Sequence, residues 1–163
     1  MFFFKDFKPV NEKINLPILN NQKISLHIKR EDLIHPIISG NKFRKLKYNI
    51  KEALDQQKSE ILTFGGAYSN HLLACSFIGK LMGLRTIGII RGDELSNKKL
   101  NSTLQKCHDF GMKFIFISRI EYKRRNEKDY INSLKKIHKD AFIIPEGGTN
   151  YLGVKGCKEI LNK

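Results

Sequence analysis

Three short segments carry side chains whose types and spacing could do chemistry. The first is Ser39-Gly40-Asn41-Lys42-Phe43-Arg44-Lys45-Leu46, shortly after Lys29-Arg30-Glu31-Asp32-Leu33. Asn41 after Gly40 suits a helix N-cap and sets Lys42 in the first helical turn. An amine there feels the positive end of the helix dipole. Lys45, one turn on, shares its face and Arg44 is close in sequence, and neighbouring positive charge disfavours an ammonium. Lys42 is therefore expected to have a lowered pKa, the shift that a lysine nucleophile forming a Schiff base needs. The same dipole, the free N–H groups and Lys45 would attract a phosphate. Taken alone, a capped surface helix with solvated lysines is the plainer account of these residues.

The second segment is Thr63-Phe64-Gly65-Gly66-Ala67-Tyr68-Ser69-Asn70-His71. A strand, two glycines and a helix start leave backbone N–H groups facing a cleft at the strand's C-terminal end, where open α/β sheets bind ligands. Ser69 offers a hydroxyl, Asn70 an amide and His71 an imidazole that titrates near neutrality, so together they could hold a small carboxylate. A plain turn with Ser69 as N-cap fits as well. The third segment, Ile144-Pro145-Glu146-Gly147-Gly148-Thr149-Asn150, also ends a strand, with Glu146, Thr149 and Asn150 as candidates to face a site. A structural turn explains its glycines. No HExxH, GxSxG or GxxxxGK[ST] pattern competes with these segments. His27, His35, His108 and His138 are scattered, so no metal site is expected.

These segments need elements to position them. Ile14 to Glu31 reads as a hairpin, with arms Ile14–Leu19 and Ile24–Ile28 around a turn at Asn20-Asn21. Apolar spacing predicts a helix from about Asn41 to Gln57. A strand over Ile61–Phe64 leads to a helix from Ser69 to Met82, closed by Gly83. Strands at Arg85–Ile90, Lys113–Ser118 and Ala141–Ile144 alternate with helices at Asn97–Phe110 and Asp129–His138, and a last helix runs on to Lys163. This alternation implies an α/β fold with an open, mainly parallel sheet covered by helices. The final helix is barely begun, so the chain is expected to be cut short.

Composition bounds the class. The chain has 163 residues, a net charge of +14 and 40% hydrophobic residues, ordinary for a globular domain. Basic residues are spread from Lys5 to Lys163, and Lys123-Arg124-Arg125 reads as a solvated loop or helix start, so a nucleic-acid-binding protein is the weaker reading. No apolar run suits a membrane span, and the opening Met1–Asp6 is too short for a signal-peptide core. Cys75, Cys107 and Cys157 lie far apart, which suggests free thiols in a reducing cytoplasm.

Lys-Arg-Glu-Asp-Leu, Ser-Gly-Asn-Lys-Phe-Arg-Lys-Leu, Gly-Gly-Ala-Tyr-Ser-Asn-His and Pro-Glu-Gly-Gly-Thr-Asn, in that order from about Ile24 onwards, resemble the 1-aminocyclopropane-1-carboxylate deaminase/D-cysteine desulfhydrase family. Its members are pyridoxal-phosphate enzymes of the tryptophan-synthase-β type. The resemblance implies that Lys42 is the lysine that bonds the cofactor and moves protons at the substrate's α-carbon or beyond. It sets Lys45 near the cofactor phosphate and Asn70 on the pyridine-ring hydroxyl. Ser69 would stand beside the substrate carboxylate as the second catalytic residue, and Asn70 and His71 would help hold the substrate. Departures from the family are Tyr68, where Gln is usual, and Leu73, where Arg is frequent; His71 is more like the desulfhydrases.

Complete members are considerably longer, and their later half carries the phosphate cup. The resemblance thus implies a fold-type II small domain over about 41–140, with 1–40 as the first strands of a large domain and 141–163 an interrupted return to it. It implies a deaminase or desulfhydrase acting on a small amino acid, homodimeric at full length, with little turnover from this portion alone. The alternative from another class is a non-catalytic α/β remnant of such an enzyme.

Overall fold

Uninterrupted apolar runs such as Ile-Leu-Thr-Phe and Ile-Gly-Ile-Ile can be buried on both faces only inside a parallel sheet covered by helices. The computed structural model describes residues 9–161. The opening Met1–Asp6 and the last two residues of the expected final helix lie outside the described residues.

In chain order the elements are β1 (Asn11–Ile14), α1 (Pro17–Asn21), β2 (Leu26–Lys29), α2 (Asn41–Asp55), β3 (Glu60–Gly65), α3 (Asn70–Met82) and β4 (Arg85–Arg91). They continue as α4 (Ser102–Asp109), β5 (Met112–Ile117), α5 (Arg119–Lys123), α6 (Lys128–Ile137), β6 (Ala141–Ile144) and α7 (Tyr151–Lys158). Four strands form a wholly parallel sheet in the order β5-β4-β3-β6, the α/β arrangement that the strand–helix alternation predicts. Side chains alternate across it. Ile61 and Ile90 face α2, α3 and α4, where Phe43, Leu46, Leu72, Ile78 and Leu104 complete one core. Leu62, Phe64, Ile87 and Ile89 face α5 and α6, packing against Tyr122, Tyr130 and Leu134. Each such burial contributes about 1.5–3 kcal/mol. The domain boundary expected at 140/141 falls at the start of β6, which hydrogen-bonds to β3.

The N-terminal expectation needs correction. β1, not Ile14–Leu19, pairs antiparallel with β2, and Pro17–Asn21 is a short helix. Pro17 stands in its first turn, where a fixed φ and a missing N–H cost nothing, and this overrides the apolar alternation. α4 begins at Ser102 rather than Asn97, because Asn101 caps it, its Oδ1 accepting from Thr103 N–H at 3.0 Å and Leu104 N–H at 2.9 Å. α7 gives way to a 3₁₀ turn at Glu159–Leu161.

α7 lies tightly along α2. A Cβ on Gly156 would run into the Arg44 carbonyl, so only glycine lets the two backbones approach. Polar contacts lock the pair: Lys47 Nζ donates to Glu159 at 2.7 Å, Tyr48 Oη donates to the same carboxylate at 2.5 Å, and Arg44 stands 3.6 Å from it.

Candidate active site

The N-terminus of α2, the β3–α3 loop and the turn after β6 meet at the C-terminal end of the sheet. Between them lies a cleft of about 670 Å³. Asn41 and Lys42 line it from α2, Ser69, Asn70 and His71 from α3, and Glu146 and Gly147 from the third segment. Segments distant in sequence thus converge on one cavity. Pro36, Ile37 and Leu73 add an apolar wall.

Gly40, with φ 58°, takes the N-cap position, so Asn41 is the first helical residue rather than the cap. Lys42 is partly buried, and its Nζ donates to Asn41 Oδ1 at 3.0 Å. Burial first, and then the charge of Lys45, hold its ammonium below the ordinary lysine range. Arg44 plays no part in this. It is 8% exposed and turned away, its Nε and Nη2 each 2.9 Å from the Glu31 carboxylate. Lys45 does not line the cleft; its Nζ donates to Thr149 Oγ1 at 3.2 Å.

Ser69 caps α3, its Oγ accepting from Leu72 N–H at 3.3 Å, which leaves its own proton to donate. Asn70 is exposed at the first helical position beside it. The start of α3 and the start of α2 therefore both present a positive dipole end to the cleft. His71 differs from expectation. It is 2% exposed, and burial, then Lys42 and Lys45, push its pKa down to about 3, so it is neutral where titration was expected. Its Nε2 lies 2.8 Å from Thr63 Oγ1.

The third segment splits by role. Glu146 lines the cleft and accepts from Arg125 Nε at 2.6 Å. Thr149 meets Lys45, whereas Asn150 serves structure: its Oδ1 accepts from Gly153 N–H at 2.8 Å, capping α7, and its Nδ2 donates to Asn49 Oδ1 at 2.7 Å. Gly148 has φ 70°, and a Cβ there would stand 3.2 Å from Lys45 Cβ, so glycine lets this turn pack onto α2. Thr63, beneath His71, had no assigned role. Period-two alternation with Ile61 would have placed it on the α3 face.

This arrangement holds an amine of weakened basicity, two helix starts suited to anions, a hydroxyl donor, a neutral imidazole and a fixed carboxylate. Among the described residues no group of three or more His, Cys, Asp or Glu side chains could hold a metal ion, and no helix is long and apolar enough to cross a membrane.

No protein-family model matches the chain. Among individual proteins, a provisionally named 1-aminocyclopropane-1-carboxylate deaminase of Thermotoga maritima is 34% identical over 134 residues, 81% of this chain and 42% of its own. The mitochondrial bifunctional D-cysteine desulfhydrase/1-aminocyclopropane-1-carboxylate deaminase of Arabidopsis thaliana is 35% identical over 152 residues, 89% of this chain and 38% of its own. The crystal structure of an ACC deaminase homologue superposes with a TM-score of 0.72 at 25% identity, covering 96% of this chain and 49% of that one. The chain thus spans about two-fifths of the length of the curated relatives it matches. In sequence as in the ordered set of segments that build its cleft, it belongs to the 1-aminocyclopropane-1-carboxylate deaminase/D-cysteine desulfhydrase family.

Proposed function

We propose that the chain is a portion of a pyridoxal-phosphate-dependent enzyme that deaminates or desulfhydrates a small amino acid, of the 1-aminocyclopropane-1-carboxylate or D-cysteine type. One observation carries this reading: the partly buried Lys42 amine, held below its ordinary pKa, in a cleft flanked by two helix N-termini. The donor set fits the cofactor. Lys42 would bond its aldehyde and Asn70 would hydrogen-bond its ring hydroxyl, both from the cleft lining, while Lys45, which donates to Thr149 outside that lining, would turn from this contact to reach its phosphate. When bound, the cofactor supplies an electron sink for charge developing at the substrate's α-carbon.

The chain's own residues do the rest. Ser69, its hydroxyl proton free, would donate to the substrate carboxylate at the positive end of α3. The lowered pKa makes Lys42 Nζ give up its proton more readily than an ordinary lysine, which suits it to move a proton. We further propose that residues 1–40 and 141–163 belong to a second, larger domain, that the full-length enzyme is a cytoplasmic homodimer, and that this portion alone turns over little.

Reduction with borohydride in the presence of pyridoxal phosphate, followed by peptide mapping, tests the reading. Label is expected at Lys42, abolished in Lys42→Ala, and formed below the pH at which ordinary lysines react. Label at another lysine, undiminished in Lys42→Ala, would overturn it.

A further inference from the structure

We propose that Thr63 is a positioning residue that locks His71 in its Nε2–H tautomer, so that the ring's other nitrogen, Nδ1, carries a lone pair and not a proton. Two distances carry the argument. Thr63 Oγ1 lies 2.8 Å from the carbonyl oxygen of Ile144 and 2.8 Å from His71 Nε2. A carbonyl can only accept, so the single hydroxyl proton of Thr63 is committed to Ile144. Its oxygen is then left only to accept from the ring, which requires the proton on Nε2. Nδ1 carries the lone pair, and no nitrogen or oxygen among the described residues hydrogen-bonds to it.

The neighbour that could compete is the Cys75 thiol, a weak donor. Cys75 Sγ stands 3.6 Å from Nε2 and 3.9 Å from Nδ1, nearly equal distances, so the sulfur is not in line with either nitrogen's in-plane direction. Burial keeps that thiol protonated. From α2, Lys42 and Lys45 both oppose a charge on the ring. From the turn beyond β6, Glu146 lines the same cleft but is engaged by Arg125. Thr63 is fully buried and His71 2% exposed, so water does not compete for the pair.

The assignment bears on what His71 could recognise. A carboxylate brought to Nδ1 would meet lone pair against lone pair, whereas an N–H or O–H donor would be accepted. A ligand that reaches this ring would therefore meet it with an amine or hydroxyl rather than with the carboxylate that the sequence alone suggested. Its relevance to recognition rests on the cleft being the ligand site, as proposed, but the tautomer is measurable without ligand.

The experiment is a long-range proton–nitrogen correlation spectrum of the nitrogen-15-labelled chain. His71 is expected to show a protonated Nε2 and a bare Nδ1, unchanged as the pH falls from about 7.5 to about 5. Thr63→Val should shift the pattern towards the other tautomer or a mixture, and Thr63→Ser should restore it. A protonated Nδ1 in the wild-type chain, a doubly protonated ring by about pH 5, or an unchanged pattern in Thr63→Val would each overturn the proposal. Should Thr63→Val not fold, the wild-type spectrum alone decides. Borohydride labelling at Lys42 reads the cofactor proposal separately, so each can fail without the other.

Discussion

Tyr122 shows how a single atom can leave stability unused. The residue is 2% exposed, and its hydroxyl makes no hydrogen bond of good geometry among the described residues, although the Glu146 carboxylate is close enough to join burial in pushing its pKa up. Its ring is well placed: the guanidinium carbons of Arg125 and Arg91 lie 4.9 and 5.9 Å from the centroid. An orphaned buried hydroxyl costs about 1–3 kcal/mol. Tyr122→Phe keeps the ring and removes the cost, so we expect a gain of about 1 kcal/mol, read as a higher urea midpoint at constant slope. A loss of similar size would show that the hydroxyl has a partner. Other residues were readable from local rules alone. Lys42 in the first turn and Ser69 as a cap follow from neighbours in the chain. The neutrality of His71 does not, because it depends on burial and on lysines that arrive from α2. Nor does the fate of Arg44, which is decided by Glu31 and the distant Glu159.

At the scale of elements, the pairing of α2 with α7 fixes Lys42 and Lys45 against the rest of the site. Burial pushes the Glu159 carboxyl up, but hydrogen bonds from Lys47 and Tyr48 outweigh it, and the group is held below its ordinary value of 4.5. A depressed carboxyl contributes stability above its unfolded pKa, and that contribution is lost as the pH falls through the folded value. Glu159→Gln should therefore cost about 1–2 kcal/mol at neutral pH and progressively less in acid, as measured by denaturant titration across pH. Equal cost at every pH would mean that charge plays no part. Strands β3 and β4 were legible in the sequence because continuous apolar runs admit few alternatives. The first hairpin arm was misplaced because one proline outweighed five residues of pattern, and the short helix α5 was missed because five residues carry little periodicity.

Across the whole molecule part of the positive charge is locally answered. Arg124 pairs with Glu127 and Asp129, Arg125 with Glu146, and Arg44 and Lys47 with Glu159, while an excess of fourteen basic over acidic residues remains. Global stability should carry the mark of His71 instead. Its folded pKa is lowered from 6.5 to about 3, so the unfolded chain binds the proton first as acid is added. Stability is thus fully present above pH 6.5 and falls towards pH 3, by about 1.4 kcal/mol per pH unit from this group alone. His71→Gln should flatten that slope in a pH series of urea melts. A slope unchanged by the substitution would contradict the buried, uncharged ring.

β6 is only four residues long and borders the sheet, yet its Ile144 carbonyl receives the Thr63 hydroxyl and its end leads into Glu146. Such a margin is where fraying starts. Detachment of this one strand would dissolve the cleft floor before the rest of the sheet opened, which couples occupancy of the cleft to the lifetime of a sheet border. A bound ligand should therefore slow amide exchange along Ala141–Ile144 more than along β4 in the sheet interior.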